Sequence, residues 1–170
     1  MARSGHPHAI DLMRYYLIDK VTELTPGARA AGVKCVTLSD EVLHDHFPDY
    51  PMFPGALIVE SAAQLAGFLL EMTFNGDGQP LVRALLVQIQ RAKFYHAVGP
   101  GETLQVEVTI DSTRESSAQI AFEARAAGKR AARGTLQFVL REIDVPRIHE
   151  QRRAVYAIWT RDFQPALVLP

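Results

Sequence analysis

Cysteine is nearly absent from this chain: Cys35 is the only one in 170 residues. An internal disulfide framework is therefore excluded, and a reducing compartment suits the composition. Set among small and β-branched residues, Cys35 reads as a small buried strand residue. Charge of one sign is also lacking, because 18 Lys and Arg against 19 Asp and Glu leave a formal charge of −1. No general attraction to nucleic acid follows from that balance. No apolar run approaches the ~20 residues of a membrane span. Met1 to Pro7 lead into no apolar stretch, so no secretory signal is expected. Repeats and low-complexity tracts are missing as well. The remaining material, 48% hydrophobic, suffices for a domain with a substantial core. A soluble cytoplasmic protein is the expectation.

The pattern along the chain is uneven. A short apolar run from Leu12 to Val21 and a turn at Thr25-Pro26-Gly27 precede a strand expected over Ala30 to Leu38. Ser39-Asp40-Glu41 can cap a short helical turn. Ala56 to Thr73 is apolar on nearly every side, which predicts a helix buried all round. Asn75-Gly76-Asp77-Gly78 ends it with residues tolerant of positive φ. After Leu81 to Tyr95, a β-compatible run, period-2 alternation takes over. Leu104, Val106, Val108 and Ile110 alternate with polar residues, as do Ala118, Ile120, Phe122 and Ala124, then Leu136, Phe138 and Leu140. Several antiparallel strands following one buried helix predict an α+β fold, an antiparallel sheet wrapped around a long central helix. Arg147 to Phe163 reads as a charged helix with a weak apolar stripe. The domain is placed at 1–145, with 146–170 as a C-terminal extension whose Val155, Tyr156, Ile158, Trp159 and Phe163 pack on the outer sheet face or an interface.

The chemistry concentrates in Asp45-His46-Phe47-Pro48-Asp49-Tyr50-Pro51-Met52-Phe53-Pro54-Gly55. Prolines at every third position stiffen the loop and predict an extended course. Pro54 suits entry to the helix, where a missing N–H costs nothing. Gly55 leaves its N–H unshielded at the positive end of the helix dipole. Glu60 is a carboxylate in the second helical turn, costly among apolar neighbours unless paired or neutralised. Gln64 follows one turn on, along the same face. Glu71, near the helix end, is expected to be solvated. A base, an acid and an oxyanion donor can thus converge.

These residues, His46-Phe47-Pro48, Pro51, Pro54-Gly55, Glu60 and Gln64, resemble the signature of the 3-hydroxyacyl-acyl-carrier-protein dehydratases, hot-dog-fold enzymes of fatty-acid synthesis. Tyr16-Leu17-Ile18-Asp19-Lys20-Val21, Arg91-Ala92-Lys93-Phe94 and Val98-Gly99-Pro100-Gly101-Glu102 extend the likeness to about residues 8–142. Asp49 departs from it, since the family usually carries glycine there. The tail from Pro146 has no counterpart in compact members. Both features leave room for a specialised substrate, as in polyketide or aryl-polyene pathways.

The resemblance implies dehydration of a 3-hydroxyacyl thioester to the trans-2-enoyl thioester, with His46 as base and Glu60 as acid. Histidine suits proton removal near neutrality, and burial favours the protonated carboxyl that a leaving hydroxyl needs. The Gly55 N–H receives charge developing on the thioester oxygen. Gln64, Phe53, Leu57 and Phe94 are expected to bind substrate. The elimination requires no metal or other cofactor, and His44-x-His46 has no third ligand at motif spacing. The remaining histidines, His6, His8, His44, His96 and His149, read as surface or hydrogen-bonded residues. Arg91, Lys93, Arg130 and Arg133 are candidates for a basic patch facing an acyl carrier protein. Family likeness further implies a homodimer, or a trimer of dimers, with base and acid of one site supplied by different subunits. The rival functions are a hot-dog acyl thioesterase and a non-catalytic partner subunit of a dehydratase. The first lacks this proline loop in its known members, and the second should have lost the histidine or the acid.

Overall fold

The computed structural model describes residues 15–76 and 80–170. Six strands, β1 (Lys20–Thr25), β2 (Arg29–Cys35), β3 (Val82–Phe94), β4 (Thr103–Arg114), β5 (Ser117–Ala126) and β6 (Lys129–Glu142), form one sheet in the order β1-β2-β4-β5-β6-β3. Every neighbouring pair is antiparallel. The helix α1 (Gly55–Phe74) lies in the hollow of this sheet, and α2 (Pro146–Trp159) follows the last strand. The fold is α+β, with the sheet wrapped around α1 as the alternation predicts. Leu104, Val106 and Val108 of β4, Ile120 and Phe122 of β5, and Leu136 and Phe138 of β6 point inward and are buried. They meet Ala62, Leu65, Ala66, Leu69 and Leu70 of α1.

By length and composition α1 could cross a membrane, contrary to the expectation that no run is apolar enough. Its 18-residue apolar window is 61% buried within the roll, so the hydrophobic length serves the core. The helix also stops differently from the positive-φ ending expected of Asn75-Gly76-Asp77-Gly78. Asn75 has φ −93°; its amide accepts from Val82 N–H at 2.8 Å and donates to Val82 C=O at 3.0 Å. The side chain ties the helix end to β3. Asp77 and Gly78 lie outside the described residues, as do His6, His8 and the start of the Leu12 run.

Three further expectations require correction. The second strand ends at Cys35, three residues short of the expected Leu38, and Cys35 is exposed. Its backbone N–H is taken by Asp19 Oδ2 at 2.6 Å. Ahead of the 3₁₀ turn Glu41–Leu43, Asp40 does not cap with its side chain, which accepts instead from Thr37 N–H at 3.0 Å.

Glu71 is the third. It is 1% exposed and accepts from Arg83 Nη1 and from Tyr156 Oη, each at 2.6 Å. Arg83 Nη2 in turn meets His149 Nδ1 at 2.7 Å. Burial, then the Glu71 charge, pushes the Tyr156 phenol well above its ordinary pKa, so it remains a donor. These partners come from α1, β3 and α2, and their sequence separation hid them. Accordingly α2 packs on α1 rather than on the outer sheet face. Tyr156 and Trp159 set their rings 4.8 and 6.1 Å from Phe68, while Ile158 stays exposed. At its far end, Asp162 pairs with Lys20 of β1 at 2.6 Å. The extension therefore bridges the two edge strands, β3 and β1, over the open side of the roll.

Candidate active site

The loop before α1 folds more tightly than its prolines suggest. Tyr50 N–H bonds Phe47 C=O at 3.0 Å and Phe47 N–H bonds Tyr50 C=O at 3.1 Å, closing a turn around Pro48-Asp49. Proline at its first central position and φ +64° at Asp49 match a type II turn. The second centre demands a left-handed residue, which accounts for the glycine seen there in the resembling family. Aspartate tolerates that region better than most side chains. The loop is thus a turn and not an extended segment.

Beyond the turn the chain folds back, and Met52 N–H bonds His46 C=O at 2.8 Å. His46 Nδ1 lies 2.8 Å from Met52 C=O. A carbonyl only accepts, so Nδ1 carries a hydrogen, and in the neutral ring Nε2 is the nitrogen with the free lone pair. The Phe47 ring stacks on the imidazole at 4.4 Å. Two bonds to one residue and one stacking contact hold the imidazole in place.

Glu60 is half-buried on α1, and Gln64 Nε2 donates to its Oε1 at 3.0 Å. The same nitrogen donates to Tyr15 C=O at 3.0 Å, and Gln64 Oε1 accepts from Leu17 N–H at 3.0 Å. The amide is thereby committed to the protein. Gln64 orients Glu60 and ties both to the segment entering β1, which sequence reasoning could not place. Burial and then the Glu60 charge raise the Tyr15 phenol pKa, which puts that ring within electrostatic reach of the carboxylate.

Gly55, first residue of α1, has an N–H with no acceptor inside the helix. A Cβ at this position would stand 2.8 Å from Phe94 Cε1, so only glycine lets that ring approach. Gly55, Phe53 and Phe94 line one groove of about 480 Å³, together with Met52, Tyr95 and His96. Leu57 is half-buried against the core and does not line it, and neither do His46, Glu60 or Gln64. His46 and Glu60 make separate sets of bonds within the chain. Tyr95 and His96 are the members missed from sequence; their adjacency to Phe94 was the available signal.

Of the basic candidates, Lys93, Arg130 and Arg133 surround the Tyr95 ring, and Arg133 also joins Arg91 in lining a different, outer groove with Glu107 and Glu123. Among the described residues no three His, Cys, Asp or Glu side chains cluster to hold a metal ion.

Residues 11–134 match the family described as a FabA-like domain. A 3-hydroxyacyl-[acyl-carrier-protein] dehydratase FabZ of Clostridioides difficile is 34% identical over 75% of this chain and 88% of its own length. One from Lactobacillus helveticus is 37% identical over 72% of this chain and 81% of its own. Among solved structures, a hot-dog-like protein from Thermanaerovibrio acidaminovorans superposes with a TM-score of 0.56 at 17% identity, covering 84% of this chain and 96% of that one, a likeness of fold alone. The family match takes in β1 to β5, the proline loop and α1, and ends at residue 134 within β6, before α2. The chain belongs to the FabA-like family, with relatives among the FabZ-type 3-hydroxyacyl-[acyl-carrier-protein] dehydratases.

Proposed function

We propose that the chain is a hydro-lyase that converts a 3-hydroxyacyl thioester, carried on an acyl carrier protein, to the trans-2-enoyl thioester. The observation that carries this reading is the His46 tautomer, fixed by the Met52 carbonyl with Nε2 available as a base. His46 Nε2 removes a proton from C2, and that electron pair forms the C2–C3 double bond. The C3–O bond breaks as Glu60 supplies a proton, so water departs. The Gly55 N–H stabilises the thioester oxygen, an effect worth ~3 kcal/mol in comparable sites. The pathway is fatty-acid synthesis, or polyketide or aryl-polyene synthesis, in the cytoplasm.

The reading includes a homodimer. Among the described residues no strand pairs with the outer side of edge strand β3: at Val82 and Ala84 that side bonds Asn75 and Glu71, and beyond them Leu85, Val87 and Ile89 are exposed. An apolar edge of this kind is a template for another strand. A second copy paired there continues the sheet and supplies a Glu60 to the His46 of its neighbour; three such dimers can assemble further. Incubation with a 3-hydroxyacyl thioester tests the function. Enoyl absorbance without free thiol is expected; thiol release would indicate a thioesterase, and no change a non-catalytic subunit.

A further inference from the structure

Glu60 and Tyr15 are held to one another by a third residue. Gln64 Nε2 donates to Glu60 Oε1 and to the Tyr15 carbonyl, each at 3.0 Å, so one amide nitrogen clamps both. The clamp uses the backbone of Tyr15 and leaves its side chain uncommitted. The residue is 45% exposed, and among the described residues its hydroxyl has no hydrogen-bond partner. Tyr16, next to it, packs against the core instead.

On Glu60 the uncommitted atom is Oε2, since Gln64 takes Oε1. A carboxyl and a phenol thus lie within electrostatic reach of each other, each with an oxygen to offer. Their ordinary acidities differ by about six pH units, so the carboxyl is the group that gives up a proton. Burial, and then the Glu60 charge, raises the Tyr15 pKa further and keeps the phenol a donor. A hydroxyl oxygen has two lone pairs and accepts from both groups at once. In the elimination, the C3 oxygen gains charge as its bond to carbon lengthens. A donor aimed at it therefore acts more strongly in the transition state than on the bound substrate.

We propose that Tyr15 is a second donor to the leaving group, its phenol hydrogen-bonding the C3 hydroxyl of the substrate beside Glu60. This inference rests on the dehydratase reading given above. The balance of the step is unchanged: Glu60 supplies the proton, the oxygen departs as water, and Tyr15 keeps its own proton throughout.

Tyr15→Phe isolates the hydroxyl, because the backbone carbonyl that holds Gln64 is retained. In a His46→Ala background the substrate persists, so calorimetry reads binding without turnover. The probes are 3-hydroxyhexanoyl-pantetheine and hexanoyl-pantetheine. The hydroxylated thioester should bind ~10-fold more tightly, and adding Tyr15→Phe should cut that preference to ~2-fold while sparing the affinity for hexanoyl-pantetheine. Equal affinities beforehand, a preference that survives the change, or an equal loss for both probes would overturn the contact. With His46 intact, Tyr15→Phe should lower kcat ~10-fold, and an unchanged kcat would likewise overturn it. A Tyr15-dependent hydroxyl preference in a protein that forms no enoyl product would retain the contact and reject the dehydratase assignment.

Discussion

His46 owes its orientation to Met52, which bonds both its backbone carbonyl and its ring. The loop that carries it was legible from the proline spacing, but the bond from Met52 to its ring was not, because that depends on how the turn at Pro48-Asp49 folds. His46→Ala and Glu60→Gln should each lower turnover by ~10²–10⁴, the usual range for a positioned proton-transfer group, with circular dichroism unchanged. Wild-type turnover in either would remove that residue from the chemistry. Asp49 gives a separate test of the loop. Its φ of +64° is tolerable for aspartate and poor for a β-branched side chain. Asp49→Val should cost about 1–2 kcal/mol in denaturant unfolding and Asp49→Gly much less. Equal effects would mean that the turn does not demand a left-handed residue.

At the scale of elements, β4, β5 and β6 were legible because each buries alternate residues, and α1 because it is apolar on nearly every side; β1 and β3 carry no such alternation. The α2 contacts were not, since Glu71 finds Arg83 and Tyr156 through folding. Glu71 illustrates the limit: alone in sequence it looked like a solvated helix-end carboxylate, yet removing it would leave Arg83 buried without its partner. Glu71→Ala is expected to cost ~3–5 kcal/mol in unfolding free energy, as for other broken buried pairs. A loss under ~1 kcal/mol would show the network to be incidental. Tyr156 adds a pH signature. Its phenol pKa is raised in the fold, so its contribution is fully present below the unfolded value of ~10 and is lost as pH climbs through the folded value. The melting temperature should therefore fall more steeply above pH ~10 in the natural chain than in Tyr156→Phe. Deleting residues 147–170 should lower the melting temperature outright, because Phe68 and the Glu71–Arg83 pair lose their cover. An unchanged melting temperature would show that α2 contributes nothing to the fold.

For the whole molecule, wrapping was legible from composition, since a helix apolar on all sides must be covered by something. How the chain completes its site is less visible in one copy. His46 and Glu60 bond to different neighbours here, and among the described residues no strand pairs with the apolar edge of β3. In the account given, a second copy resolves both features. Mixing His46→Ala chains with Glu60→Gln chains, then following enoyl absorbance, tests this most directly. Each mixed dimer would contain one site with both groups intact, so random exchange should restore about a quarter of normal activity from two inactive parents. No recovery after verified subunit exchange would contradict a site shared between two chains.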